Sequence, residues 1–110
     1  MTTAYVFAPA YSEMGTAEAP GLLDWVDSRL NAGATYLLVD LQNVTQISSS
    51  GLGTLMIARN RARRADSLLV LCSLTETAQV ALERADMLDK FQIYADRQAF
   101  EQQSNAVANG

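Results

Sequence analysis

Hydrophobic residues of this chain fall into two kinds of segment that alternate along its length. Short continuous apolar runs, typical of buried strands, occupy residues 4–8, 36–41, 67–72 and 91–94. Segments with apolar residues at helical spacing occupy residues 20–32, 52–65, 75–88 and 96–102. We therefore predict a small α/β sandwich, in which a mainly parallel or mixed sheet of about four strands carries packed helices.

Several residues at the predicted helix ends have the side chains that start or stop helices. Thr75 and Asp96 carry oxygens that accept hydrogen bonds from first-turn N–H groups, so we expect them to cap the third and fourth helices. Gly33 follows the first helix, a position where glycine is favoured. For the cap of that first helix the sequence leaves two alternatives, Thr16 and Ala19.

The length and composition of the chain fit one domain with an ordinary core. Its 110 residues are 49% hydrophobic and 18% charged, which is typical of globular proteins. We assign residues 1–103 to a single domain and residues 104–110 to a flexible tail. The single cysteine, Cys72, excludes an intrachain disulfide.

The residue types that the chain lacks argue against several classes of function. It has no histidine, the most common general base and a frequent zinc ligand, so we expect no metal, no cofactor and no Ser–His catalysis. A net charge of −4 argues against direct nucleic-acid binding. No apolar stretch approaches the roughly 20 residues of a membrane span, and residues 1–14 lack the pattern of a secretory signal. We therefore expect a cytoplasmic protein.

Three consecutive serines, Ser48, Ser49 and Ser50, lie where the second predicted strand leads into the second predicted helix. First-turn N–H groups have no acceptor within the helix, and the helix dipole favours negative charge there. One interpretation is that Ser49 or Ser50 caps the helix, a role that needs one hydroxyl. The other is that one serine accepts a phosphate, which adds about −2 charge at a position that the fold tolerates. The residues alone favour capping, because the sequence SSSG is also typical of many plain loops.

The helix after the serines has an apolar face and a mixed face. At about 100° per residue, the positions predicted to pack on the sheet are Leu52, Leu55, Ala58, Ala62 and Ala65. The positions predicted to face outward are Gly53, Ile57, Asn60 and Arg64. Ile57 is thus an apolar residue that faces outward near the serines, which makes this face a candidate partner surface. Arginines near the end of the helix complement its dipole.

The segment YLLVDLQNVTQISSSGLGTLMIARNRARR, residues 36–64, resembles the central signature of STAS domains, the anti-sigma factor antagonist family. That signature is a strand ending in Asp, a short loop, a motif similar to Asp-Ser-Ser-Gly-Leu-Gly, and a helix. The later segment MLDKFQIY, residues 87–94, resembles the second half of the family. The resemblance extends over about residues 4–100.

The resemblance implies a binding protein that is switched by phosphorylation. Members of the family bind an anti-sigma factor that is also a serine kinase; phosphorylation of the first motif serine breaks the complex, and a phosphatase restores it. Aligned on the glycines of the motif, the resemblance places the phosphoacceptor at Ser49 and the second motif serine at Ser50. The residues that we predict to form the motif and partner surface are Ser48, Ser50, Gly51, Leu52, Gly53, Ile57, Asn60 and Arg64.

Three features depart from the family pattern. Ser48 replaces the motif Asp, which removes a carboxylate and makes Ser48 a second candidate acceptor. Asp86 takes the place of a glycine before the last strand. Family members have two strands before the first helix, whereas this chain has room for about one. We therefore expect the N-terminal edge strand to be missing and the open sheet edge to be available to a partner or to a second copy in a homodimer.

Two further interpretations compete with the switch. A STAS domain without the motif Asp is also consistent with a non-switching scaffold or binding module in a signalling or lipid-transport complex. An enzyme with Ser49 as nucleophile is disfavoured, because the chain has no histidine to act as its base. We therefore predict an antagonist and not an enzyme.

Overall fold

The computed structural model describes the backbone of residues 2–109 and the side chains of residues 2–103. Six strands are assigned: β1 (Ala4–Phe7), β2 (Glu13–Met14), β3 (Tyr36–Asp40), β4 (Gln46–Ile47), β5 (Leu68–Cys72) and β6 (Gln92–Tyr94). Four α-helices are assigned: α1 (Ala19–Asn31), α2 (Ser49–Arg64), α3 (Glu76–Arg84) and α4 (Arg97–Asn109). Two short 3-10 turns, Thr16–Glu18 and Leu88–Lys90, precede α1 and β6.

The main sheet has four parallel strands in the order β1-β3-β5-β6, which confirms the predicted α/β architecture. Apart from Asp40 at the end of β3, its central strands are apolar because both faces of the sheet are covered. Leu37 and Val39 of β3 point into the core beneath one face, whereas Leu38 between them points into a second core on the other. This is the arrangement that a continuous apolar run predicts.

Helices α1, α2 and α3 pack on the first face of the sheet. The buried side chains that they contribute to this core are Leu22 and Val26 of α1, Leu55, Ala58 and Ala62 of α2, and Leu82 of α3. Complete burial of one leucine or valine side chain contributes about 1.5–3 kcal/mol, so this core is the main source of stability.

Helix α4 covers the opposite face. The Phe100 ring meets Tyr36 and Tyr94 edge to face, with both centroid distances 5.4 Å. At the start of α4, the Arg97 Nε donates to Oδ2 of the buried Asp40 at 2.6 Å, and Asp96 accepts from the Ala99 N–H as predicted. The helix continues to Asn109, past its predicted end at Gln102. The predicted flexible tail concerns residues 104–110, whose side chains lie outside the described residues, as does Gly110 altogether.

The helix ends confirm some predicted caps and correct others. Thr75 caps α3 by accepting from the Ala78 N–H at 3.1 Å, and Gly33 takes a left-handed φ of 87° after α1. The cap position of α1 is Glu18, neither Thr16 nor Ala19, because the preceding 3-10 turn leads directly into the helix.

A second sheet of two very short strands was not predicted from the sequence. Strand β2 pairs in parallel with β4, and the N–H groups of Thr45 and Gln46 both donate to the Ser12 carbonyl, at 2.8 and 3.1 Å. The sequence indicated room for only about one strand before α1, whereas β1 and β2 both precede it. Strand β2 was missed because two-residue strands leave no hydrophobic period. This small sheet fixes the segment that leads into the serines.

Asp86, which stands where the family pattern has glycine, adopts a left-handed φ of 58°. Aspartate tolerates this conformation better than most residues because its short polar side chain bonds locally. The turn between α3 and the segment before β6 therefore keeps the backbone shape that a glycine favours.

Candidate functional site

The serine triplet lies at the junction of β4 and α2, and Ser48 is the residue that caps the helix. Its Oγ accepts from the Gly51 N–H at 3.2 Å and donates to the Met14 carbonyl at 3.4 Å. The Ser48 N–H donates to the same carbonyl at 3.0 Å. The prediction that Ser49 or Ser50 caps the helix is therefore wrong, because pairing of Ser48 with β2 places the start of α2 earlier than the periodicity indicated.

This capping geometry explains how serine replaces the motif Asp at position 48. Aspartate and serine are about equally good caps, since both offer an oxygen to the first-turn N–H groups. Ser48 therefore supplies a cap that an aspartate at this position could also supply, but without the negative charge.

Ser49 and Ser50 occupy the first two positions of α2, and both are exposed. The Ser50 Oγ accepts from the Thr16 Oγ1 at 3.0 Å, which ties the start of α2 to the 3-10 turn before α1. Among the described residues, none forms a hydrogen bond with the Ser49 hydroxyl. The first turn of α2 contains no acidic residue, so the partial positive charge of the helix start is not neutralised there.

Gly51 is buried, and its lack of a side chain is what allows β2 to approach the helix. A Cβ at this position would lie 2.3 Å from the Met14 carbonyl oxygen and 2.9 Å from the Ile47 Cγ2. Any larger residue requires the backbone of β2 or of α2 to move. The first glycine of the motif is therefore a packing requirement, one that appears only when β2 is known.

A carboxylate from outside the motif lies near the same glycine, Gly15, as the Ser48 hydroxyl. The Glu18 Oε1 accepts from the Gly15 N–H at 2.8 Å. A Cβ built on Gly15 would lie 3.6 Å from that oxygen and 3.3 Å from the Ser48 Oγ. The Glu18 carboxylate and the Ser48 hydroxyl therefore both border the space beside Gly15. Burial raises the pKa of the Tyr11 phenol, and the charge of Glu18 raises it further. Sequence spacing did not indicate Glu18, because the turn that positions it is specified by tertiary packing.

The outward face of α2 carries four of the predicted partner residues in one line that begins at Ser49. We call Ser49, Gly53, Ile57, Asn60 and Arg64 the α2 stripe; all five are exposed. The Ile57 side chain is 46% exposed, and a Cβ on Gly53 would meet no atom within 4 Å. The stripe thus offers a partner an apolar residue beside an open, flat stretch of helix.

The inward face of α2 differs from prediction at its two ends. Leu55, Ala58 and Ala62 are buried, as predicted. Leu52 is half-buried and packs against the edge of the core. Ala65 is exposed, contrary to prediction, because the helix ends at Arg64 and Ala65 is its C-cap residue.

The arginines near the end of α2 have different partners. Arg61 forms an ion pair with Asp27 of α1 at 2.8 Å, and Arg59 donates to the Lys90 carbonyl at 2.5 Å. Arg63 and Arg64 are exposed and line a shallow depression with Asn60. The far end of the α2 stripe is therefore positively charged.

Other reactive groups of the domain lie apart from this site. Cys72 is buried, and burial raises the pKa of its thiol. In the described part of the chain, no group of three or more His, Cys, Asp or Glu residues is placed to hold a metal ion. No helix there is long and apolar enough to cross a bilayer.

A sequence model of the family described as the STAS domain matches residues 7–99. A sulfate transporter family protein from Wolinella succinogenes has a similar structure: TM-score 0.86, 11% identity, 97% of this chain and 88% of that one. The anti-sigma factor antagonist SpoIIAA in its unphosphorylated form gives TM-score 0.77 at 9% identity, over 96% and 91% of the two chains. Its phosphorylated form from Bacillus gives 0.68 at 11% identity, over 93% and 92%. At these identities the structures show the shared fold alone. None of the curated proteins compared with the chain matches it.

Proposed function

The chain belongs to the STAS domain family, and we propose that it is an anti-sigma factor antagonist that binds a serine-kinase anti-sigma factor and is released when Ser49 is phosphorylated. One observation carries the assignment of Ser49. Of the three serines, Ser48 caps α2 and Ser50 accepts from Thr16, whereas the Ser49 hydroxyl is exposed and takes no part in the fold.

The position of Ser49 explains how a phosphate there acts as a switch. A phosphate adds about −2 charge and three acceptor oxygens at the start of α2, where free N–H groups and the helix dipole favour an anion. The fold therefore keeps its stability. A partner that packs on the α2 stripe around Ile57 must remove water from that charge, and the unfavourable desolvation weakens the complex.

Ser48 is the less suitable acceptor. A phosphate on its Oγ removes the donor to the Met14 carbonyl and crowds the cap of α2. It also adds negative charge near Gly15, where the Glu18 carboxylate already lies. We propose that Glu18 supplies, from the turn before α1, the negative charge that the motif loses at Ser48.

The proposed partners are a serine-kinase anti-sigma factor and the phosphatase that restores the unmodified serine. The test is to use Ser49→Ala, Ser49→Asp and wild type as baits in an extract of the source cell. Ser28→Asp is the matched control, because Ser28 is an exposed serine of α1 outside the motif and the α2 stripe. We expect Ser49→Ala to retain a kinase-type anti-sigma factor and Ser49→Asp to lose it. Equal recovery of that protein by Ser49→Ala and Ser49→Asp contradicts the switch.

The change of the motif Asp to Ser48 favours a second candidate, a STAS domain that binds its partner constitutively. Recovery of a stable partner in equal amounts with every Ser49 variant distinguishes this candidate from the phosphorylation switch. Under either candidate we propose a binding protein without enzymatic activity, since the exposed serines have no histidine base anywhere in the chain.

A further inference from the structure

Strand β1 is the outer strand of the main sheet, and its outward edge has free backbone groups. It pairs with β3 only, and among the described residues no strand lies on its other side. The Thr3 carbonyl accepts from the Tyr36 N–H at 3.1 Å, so alternate residues from Thr3 direct their backbone groups toward β3. The residues between them, Ala4, Val6 and Ala8, direct N–H and C=O groups outward.

This edge lacks the features that keep sheet edges from pairing. Residues 2–8 contain no charge and no proline, and β1 has no bulge in its register with β3. Natural edge strands carry lysines, prolines or bulges to prevent pairing with another chain. Val6 instead presents a side chain that is 39% exposed, on the face of the sheet that also contains Leu38.

We propose that β1 pairs antiparallel with β1 of a second copy of this chain, about a twofold axis at Val6. In this register the two Val6 residues form the central hydrogen-bonded pair, and Ala4 pairs with Ala8 of the second copy. The same register places Tyr5 opposite Phe7 of the second copy, and this aromatic pair occurs twice. Aromatic and β-branched cross-strand pairs are among those that stabilise antiparallel strands.

The side chains beneath the edge complete an aromatic surface that the second copy covers. The half-buried Phe7 ring lies 5.2 Å from Trp25 of α1, and the Arg29 guanidinium lies 4.9 Å from the centre of the Tyr5 ring. Tyrosine, tryptophan and arginine are the residues that most often dominate binding energy at protein interfaces.

The repulsion between two copies of the chain does not act at the paired β1 strands. Two copies that each carry −4 repel wherever acidic residues meet. Paired β1 strands bring no acidic side chain together, since the first acidic residue of the chain is Glu13. Because four-residue strands form a contact below about 1,200 Å², we expect a weak dimer that depends on concentration.

Sedimentation velocity of the 110-residue chain over a series from about 10 μM to about 1 mM, the range in which such small contacts associate, tests the proposal. We expect the weight-average mass to rise from monomer to dimer. Val6→Lys places two ammonium groups at the twofold axis and weakens the dimer ~10-fold or more. The matched control is Ile93→Lys, on the opposite edge strand β6 at 38% exposure, which leaves the association unchanged. Far-UV circular dichroism checks that both variants fold.

Cysteine cross-linking tests the register in a Cys72→Ala background. Paired Val6→Cys residues have Cα atoms about 5.5 Å apart, which suits a disulfide, so this variant forms a covalent dimer on mild oxidation. Ala4→Cys alone does not, whereas a mixture of the Ala4→Cys and Ala8→Cys chains does. A chain that is monomeric throughout the concentration series, or a Val6→Lys variant that associates like wild type, overturns the proposal. Cross-linking of Ala4→Cys with itself overturns the register.

Discussion

The replacement of Gly51 by alanine tests the packing of the serine site most sharply. The added Cβ would lie 2.3 Å from the Met14 carbonyl oxygen, and that oxygen belongs to the backbone of β2. It accepts two hydrogen bonds from Ser48, so it cannot retreat without weakening the cap of α2. The neighbouring contact, 2.9 Å to the Ile47 Cγ2, blocks a shift in the other direction.

The expected magnitude is the difference between two opposing effects. Overpacking of a well-filled site costs about 1–3 kcal/mol. Alanine is intrinsically better than glycine in a helix by up to about 1 kcal/mol. We therefore expect Gly51→Ala to lower the free energy of unfolding by up to about 2 kcal/mol, and the midpoint of urea unfolding to fall by up to roughly 1 M.

Gly53→Ala is the matched control, because it adds the same methyl group two positions along the same helix. A Cβ there meets no atom within 4 Å, so only the gain in helix propensity remains. Urea unfolding followed by circular dichroism should show a midpoint that rises slightly for Gly53→Ala and falls for Gly51→Ala. If both midpoints rise together, β2 does not pack against Gly51 and the geometry of the site is wrong.

Three further predictions concern the supports of the site and of the fold. Ser48→Ala removes the cap and lowers the unfolding free energy by about 1 kcal/mol, whereas Ser48→Asp retains it; urea titrations that show Asp as unfavourable as Ala contradict the capping role. Arg97→Met leaves the buried Asp40 carboxylate without its ion pair and destabilises the domain by about 1–3 kcal/mol. Thermal unfolding measures this loss, and an unchanged Tm contradicts a stabilising role of the ion pair. Burial raises the pKa of the Cys72 thiol, so the folded state holds this proton more tightly than the unfolded chain does. The resulting contribution to stability is fully present below the pKa of a free thiol and is lost as the pH rises through the raised pKa. Iodoacetamide should therefore label the native thiol slowly even at alkaline pH. Labelling as fast as in urea contradicts this burial.

Most of the fold was predictable because the strands β3 and β5 and the helices α1 and α2 have a strong hydrophobic pattern. The elements missed were β2 and β4, each of two residues, whose pairing depends on backbone contacts between distant segments. The ends of α2 were also displaced, since the hydrophobic period begins at Leu52 but the hydrogen bonds of Ser48 start the helix at Ser49.

The residues of the site could be located in the sequence, but the contacts between them could not be predicted from it. The outward positions Gly53 and Ile57 followed from helical spacing, and the structure places both on the surface. Which serine caps the helix depends on the Met14 carbonyl, and the approach of Glu18 depends on the turn before α1. The contact of Ser48 with Met14 has no local sequence signal, because the two residues lie far apart along the chain. The contact of Glu18 with Gly15 is local, but only the fold shows that this turn lies near Ser48.

The most direct test of the central claim is to map phosphate on the serines by mass spectrometry. The chain is incubated with ATP and the serine-kinase anti-sigma factor of its source cell, and the peptide that contains Ser48, Ser49 and Ser50 is fragmented. The proposed switch predicts a single phosphate on Ser49, none on its two neighbours, and none on any serine of this peptide in Ser49→Ala. A peptide without phosphate, or with phosphate on Ser48 or Ser50 in its place, contradicts it.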